Sequence, residues 1–232
     1  MSVSSGVRPV GGMAWAAVAC AVLLTGCATW NKLTNGKKLE EERRKYGATA
    51  DQRIEELAAG AKKAKAAGQH ESLEFTRGLA TSMLEEHDPR VRSAILATAA
   101  DFDTPSATAV CKGALEDPDE RVRMAACSAW AKRGGPEAVE LLAHRYRIDR
   151  EIDVRLRALR ELGQLGDKGA VPVLAKALED PDPAVQYRAV GALKKVSGRY
   201  LGDDVNKWRE WAADPDGSSA EWSIAEGFRQ LF

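Results

Sequence analysis

The chain carries no surplus of either charge: its 232 residues hold 34 Lys plus Arg against 34 Asp plus Glu. A dedicated nucleic-acid binder draws affinity from a cationic excess over phosphates, so the balance argues against that class. Cysteines number four and histidines three. Four cysteines in a chain this long do not make the disulfide framework of a small secreted domain. His70, His87 and His144 stand far apart, with no His-x-x-x-His and no cysteine at ligand spacing, which argues against zinc. Gly-x-Ser-x-Gly, a phosphate loop ending in Gly-Lys-Ser/Thr, and Gly-x-Gly-x-x-Gly are all missing. No catalytic residue, metal or cofactor is therefore assigned. The hydrophobic fraction of 44% is too high for a disordered chain of zero net charge. What remains is an Ala-rich, charge-rich globular body of one or two domains and helical character.

Nor is there an apolar run of membrane-spanning length. The longest, Met13 to Leu24, has twelve residues where a spanning helix needs about 20. It comes after a single charge, Arg8, and ends in Leu24-Thr25-Gly26-Cys27, small residues that a signal peptidase accepts at its cut. The segment resembles a bacterial lipobox. That resemblance implies cleavage of residues 1–26, lipidation of Cys27 and an acylated new amino terminus, which exceeds the two signals that stable anchoring takes. Ala28 stands where lipoproteins held at the inner membrane usually have Asp, so the implied address is the outer membrane, facing the periplasm. An ordinary secretory signal with an incidental cysteine is the alternative. After cleavage Cys111 and Cys127 are the remaining thiols, read as small buried helix residues, with a disulfide between them as the other possibility.

The strongest internal signal is a repeat. Val91-Arg92, Val122-Arg123, Val154-Arg155 and Val185-Gln186 recur at intervals of 31 or 32 residues. Each comes after a turn: Asp88-Pro89, Asp117-Pro118, the Asp149 to Asp153 stretch, and Asp180-Pro181-Asp182-Pro183. Each precedes an apolar stripe at helical spacing, as with Val154, Ala158, Leu162 and Leu165, flanked by Leu156 and Leu159 on a second face. In Asp-Pro turns the aspartate caps the helix and the proline takes the next position, where its missing N–H had no partner. On this reading Asp117 is a cap, with Glu120 closing a capping box. Ligation of a cation by Asp117, Asp119 and Glu120, or by Asp180 and Asp182, is disfavoured, since no twelve-residue calcium loop surrounds them. Second amphipathic segments begin near Pro105, Pro136 and Lys168, after turn signals such as Gly134-Gly135-Pro136 and Gly166-Asp167-Lys168-Gly169. One repeat is thus a helical hairpin whose two apolar faces demand neighbours.

The pattern Asp-Pro-x-x-Val-Arg-x-x-Ala in variants, with Leu162-Gly163-Gln164-Leu165-Gly166-Asp167-Lys168-Gly169-Ala170-Val171, resembles a HEAT repeat of the phycobilisome-lyase type. The resemblance covers Leu73 to about Ser197. It implies an all-α, right-handed α-α superhelix of about four repeats, in which the Val-Arg helix is the second of each pair and lines the concave face. It further implies an Asp and Arg ladder, carried here by Asp117, Arg92, Arg123 and Arg155, and ending where Gln186 departs from the pattern.

The implied boundaries are a signal segment at 1–26, a lipidated stalk at 27–48, an N-terminal helical cap at 49–86, repeats at 87–197, and a Trp-containing cap and tail at 198–232. The stalk's charge run, Lys37 to Lys45, reads as a solvated helix, with contact to anionic head groups as the alternative. Trp208 and Trp211, three apart, either seal the last repeat or meet a partner. Beyond the 214–219 linker, Ile224, Phe228 and Leu231 have helical spacing, for a partner's groove or for folding back. The chain as a whole is similar to HEAT-containing lipoproteins of planctomycete-type bacteria, which brings no activity with it. The functional expectation is a membrane-anchored scaffold binding protein partners in the envelope, through Arg157, Arg160, Arg188, Lys195, Trp208 and Trp211. A lyase-like enzyme or the accessory subunit of one is the alternative, and a plain spacer the third.

Overall fold

The computed structural model describes residues 47–215, together with Lys38, Glu40, Glu41 and Arg43 to Lys45. The signal segment, Cys27, most of the stalk and the tail from Asp216 onward lie outside the described residues. Thr49 and the described residues before it belong to one unit, Ala50 and the residues after it to another. In the first unit the described residues of the charge run are helical and exposed. Among the described residues there is no strand, and no helix is long and apolar enough to cross a membrane.

The second unit is a two-row stack of helices. We number them α1 (Ala50–Ala67), α2 (Gln69–Glu85), α3 (Pro89–Ala99), α4 (Pro105–Gly113), α5 (Glu120–Arg133), α6 (Gly135–Ile148), α7 (Ile152–Leu165), α8 (Val171–Ala177), α9 (Pro183–Ser197) and α10 (Val205–Ala213). Short 3-10 turns at Ala114–Glu116 and Lys168–Ala170 extend α4 and precede α8. Odd-numbered helices stack on one another in one row, from α1 on α3 to α7 on α9. In the second row α2 packs on α4 and α8 on α10. The chain is therefore an all-α solenoid of four complete hairpins, α2/α3 to α8/α9, with half a hairpin at each end.

Packing explains the periodicity. The odd helices bury residues on two faces at once: Val91, Ile95, Leu96 and Ala99 in α3, Val154, Ala158, Leu159 and Leu162 in α7. One face meets the hairpin partner and the other the next odd helix, so neither hydrophobic stripe reaches water. Between α7 and α9 the backbones approach so closely that a Cβ on Gly163 would lie 2.7 Å from Ala192 Cα. Gly163 is thus a helix-packing residue inside α7; the turn expected of that glycine-rich stretch begins at Gly166, whose φ of 65° suits glycine. At the C-terminal end Trp208 is fully buried, donates its indole N–H to Gly202 O at 2.9 Å, and packs edge-on to Trp211. Cys111 and Cys127 are buried free thiols, and burial pushes Cys127 up to about 12.

The expected caps need one correction. Asp88 caps α3 with Pro89 behind it, but α5 is capped by Asp119, whose carboxylate accepts from Arg121 N at 2.8 Å. Glu120 is then the first residue of the helix, and no Asp117–Glu120 capping box forms. The same shift holds in the last repeat, where Asp182 caps α9. Asp117 and Asp180 are left free for another task.

Candidate functional site

That task is to join the repeats. Asp117 accepts from Arg92 Nε and Nη2 at 2.9 and 2.8 Å, and from the backbone N–H of Asp119 at 2.9 Å. Arg92 in turn donates to the carbonyl of His87 at 3.0 Å, so one side chain ties the turn before its own helix to the turn of the next repeat. Arg123 repeats the arrangement: two donors on Asp149 at 2.8 and 3.0 Å, and one on Asp117 O at 2.9 Å. Arg155 pairs with Asp180 and lies over the ring of Tyr146. Gln186 keeps only the backbone contact, to Asp180 O at 2.7 Å. All three arginine pairs are charge-assisted, and those of Arg92 and Arg123 are forked bonds, the kind that carries geometric specificity. They also shift titrations. The hydrogen bonds they donate to Asp117 and Asp149 hold Arg92 and Arg123 above the usual arginine range. Burial alone would raise Asp149, but the bonds from Arg123, the Glu151 amide and Arg145 outweigh it and hold the carboxyl low.

The ladder starts earlier than sequence reasoning placed it. Arg53, the fourth residue of α1 as Arg92 is of α3, pairs with Glu86, and Glu86 accepts from Asp88 N at 2.8 Å. Arg53, Glu86, Asp149 and Asp180 were all missed. The signal was present as an acid two residues before each cap: Glu86-x-Asp88, Asp117-x-Asp119, Asp149-x-Glu151 and Asp180-x-Asp182. The α1 helix is thereby an end half-repeat with a ladder rung of its own.

The candidate contact residues divide. Arg160 of α7 and Arg188 and Lys195 of α9 line one groove of about 130 Å³ on the odd-helix row. None of the three makes a hydrogen bond or ion pair with a described residue. Tyr187 stands beside them, 69% exposed, and a Cβ on Gly191 in the groove would meet open space. Among the described lining residues the one acid, Asp203, is engaged by Lys194, which lines the groove too. Lys194, which sequence reasoning passed over, also lies over the Tyr200 ring; its hydrogen bond to Asp203 raises the ammonium above the usual lysine range. Arg157 is half-buried and turned to Glu161 at 3.5 Å, an acid that also accepts from Ser128 in α5 at 3.0 Å. Trp208 does not belong to a contact surface: with no exposed area and its N–H satisfied, it is a core residue of the end repeat. Trp211 is half-buried beside it, away from the three cations. Among the described residues no group of three or more His, Cys, Asp or Glu is placed to hold a metal ion. Cys27 lies outside the described residues.

Comparison with known proteins agrees with this geometry. A family model described as HEAT repeats matches residues 76–155 and 146–226, together more than half of the chain. No curated protein matches it. The two matched stretches overlap at the end of α6 and the start of α7, so they run through the stacked hairpins as one array. Arrays of this kind are helical-repeat scaffolds for protein interaction, and by the extent of the match this chain belongs to the HEAT repeat family.

Proposed function

We propose that the protein is a lipid-anchored HEAT scaffold of the bacterial cell envelope that holds an acidic stretch of a protein partner against α7 and α9. The observation that carries this reading is the groove of Arg160, Arg188 and Lys195: three cations without a described partner converge, and the single acid among the described lining residues, Asp203, is already taken by Lys194, a fourth cation of the lining. Elsewhere on the same row the ladder arginines are consumed by carboxylates. A carboxylate arriving in the groove meets forked donors, and the neighbouring Tyr187 ring supplies the aromatic contact area typical of interface hot spots. Such a surface contributes more to on-rate and to rejection of basic partners than to raw affinity. The ladder serves this function by holding α7 and α9 at one spacing, so the groove is preformed. The anchor is supported by the Leu24-Thr25-Gly26-Cys27 motif.

A photo-crosslinking residue at position 187, used in intact cells, tests the contact. The expected result is a specific adduct to an acidic peptide of one protein, lost in Arg160→Glu/Arg188→Glu. An adduct pattern insensitive to that charge reversal would refute it. For the anchor, Cys27→Ala is expected to move the protein out of the membrane fraction, and an unchanged fraction would sink the lipobox reading.

A further inference from the structure

A second groove lies at the C-terminal end of the stack, where α8, α9 and α10 meet. It encloses about 540 Å³ and is lined by Val171, Pro172, Val196, Trp211 and Ala212, with Lys168 and Arg199 at its rim. Its size is that of a site for several large side chains; ligand pockets run to roughly 300–1,000 Å³. Three observations say what fills it. Pro215, the last described residue, is itself part of the lining, so the chain leaves the described structure at the groove's edge. The indole N–H of Trp211 is buried without an acceptor among the described residues, a costly state unless another group supplies one. Neither rim cation has a side-chain partner among the described residues.

The seventeen residues from Asp216 to Phe232 have the matching chemistry. Ile224, Phe228 and Leu231 form an apolar stripe at helical spacing, and Trp222 precedes it. Asp216, Glu221 and Glu226 outnumber the one base, Arg229. Reach is no obstacle, because Ile224 stands nine positions beyond Pro215, and even as helix that advance is about 13 Å. Tethering also raises the local concentration of the segment to the order of millimolar, so modest intrinsic affinity suffices.

We infer that residues 216–232 dock back into this groove, burying the Ile224/Phe228 stripe against Val171, Val196 and Trp211, accepting from the Trp211 N–H, and placing acids beside Lys168 and Arg199.

Hydrogen exchange on the full chain, wild type against Ile224→Asp/Phe228→Asp, tests this. Amides of α8 and of Trp211–Asp214 are expected to exchange at least tenfold faster in the variant, with α3 and α5 unchanged. Equal exchange in the two proteins would overturn the docking. Protection that rises with protein concentration would assign the groove to a second copy and overturn it as well. Trp211→Phe gives an independent reading through its sign. It is expected to speed exchange in the wild-type background, where it removes a satisfied hydrogen bond, and not in the double variant. An equal slowing in both backgrounds would mean that the N–H has no acceptor, and the inference fails.

Discussion

Arg123→Ala is the sharpest test of the ladder. The side chain is 14% exposed and its partner Asp149 only 1%, so solvent screens the pair little. Removing one member of a buried pair costs about 3–5 kcal/mol, chiefly because the other charge stays behind in a poor environment. Here the stranded Asp149 retains Arg145 at 3.1 Å and the Glu151 N–H at 3.0 Å, which places the expected loss at the lower end, about 3 kcal/mol. Gln186→Ala removes a single neutral bond to a carbonyl and is expected to cost about 1 kcal/mol. Arg123→Lys should not rescue, since an ammonium cannot reach both Asp149 oxygens and the Asp117 carbonyl as a planar fork does. Urea unfolding followed by circular dichroism measures all three. In a repeat array the lost interface should also broaden the transition, because neighbouring hairpins uncouple. A cost for Arg123→Ala no greater than for Gln186→Ala would refute the claim that the forked pair, rather than apolar stacking alone, couples the repeats.

Gly163→Ala sets two effects against each other. Alanine gains about 1 kcal/mol of helix propensity over glycine, but its Cβ would stand 2.7 and 2.8 Å from Ala192 Cα and Cβ, and overpacking typically costs about 1–3 kcal/mol. Net destabilisation in thermal melts is expected, and a raised melting temperature would contradict the close approach of α7 and α9. Cys127, pushed up to about 12 by burial, and the equally enclosed Cys111 should resist iodoacetamide at about pH 8, near the ordinary thiol range, in the native protein and react on unfolding; native labelling at wild-type stability would disprove their enclosure. Acid should loosen the ladder. Asp149 and Glu86, although burial raises them, are held low by their arginines and backbone amides, and Asp101 by Lys132 and Lys65. Folded values below unfolded ones mean that the stabilisation is fully present above the ordinary carboxylate range and is lost as pH falls through the folded values. Stability should therefore be flat near neutrality and fall below about pH 4, and a melting temperature unchanged down to about pH 3 would count against the ladder's charge contribution.

Helix positions were legible because their causes are local. Val91, Val122, Val154 and Val185 announce the odd helices by their spacing, and Asp88-Pro89 announces a helix start by hydrogen bonds within two residues. Asp117 was read both as a cap and as a ladder residue, and the cap reading fails for the same reason. Its capping chemistry is available locally, yet Asp119 does the capping, and what Asp117 does depends on an arginine 25 residues earlier that only stacking brings near. The candidate contact surface shows the same division. Exposed Arg160, Arg188 and Lys195 were picked out as polar positions of two repeats, while their convergence on one groove, and the withdrawal of Trp208 into the core, come from how α7, α9 and α10 pack.

By itself, then, the sequence determined a stack of about four helical hairpins, since a 31- or 32-residue period with two apolar faces per helix demands a neighbour on each side, and its Asp-Pro and Val-Arg motifs carried the family resemblance. Tertiary structure alone decided which acid meets which arginine, that α1 carries a rung through Arg53 and Glu86, and that Arg160, Arg188 and Lys195 share a groove whose acid, Asp203, is engaged by a fourth lining cation, Lys194. Those outcomes depend on distances between neighbouring repeats. Such distances are set by side-chain volume at contacts like Gly163 against Ala192, which no single helix encodes.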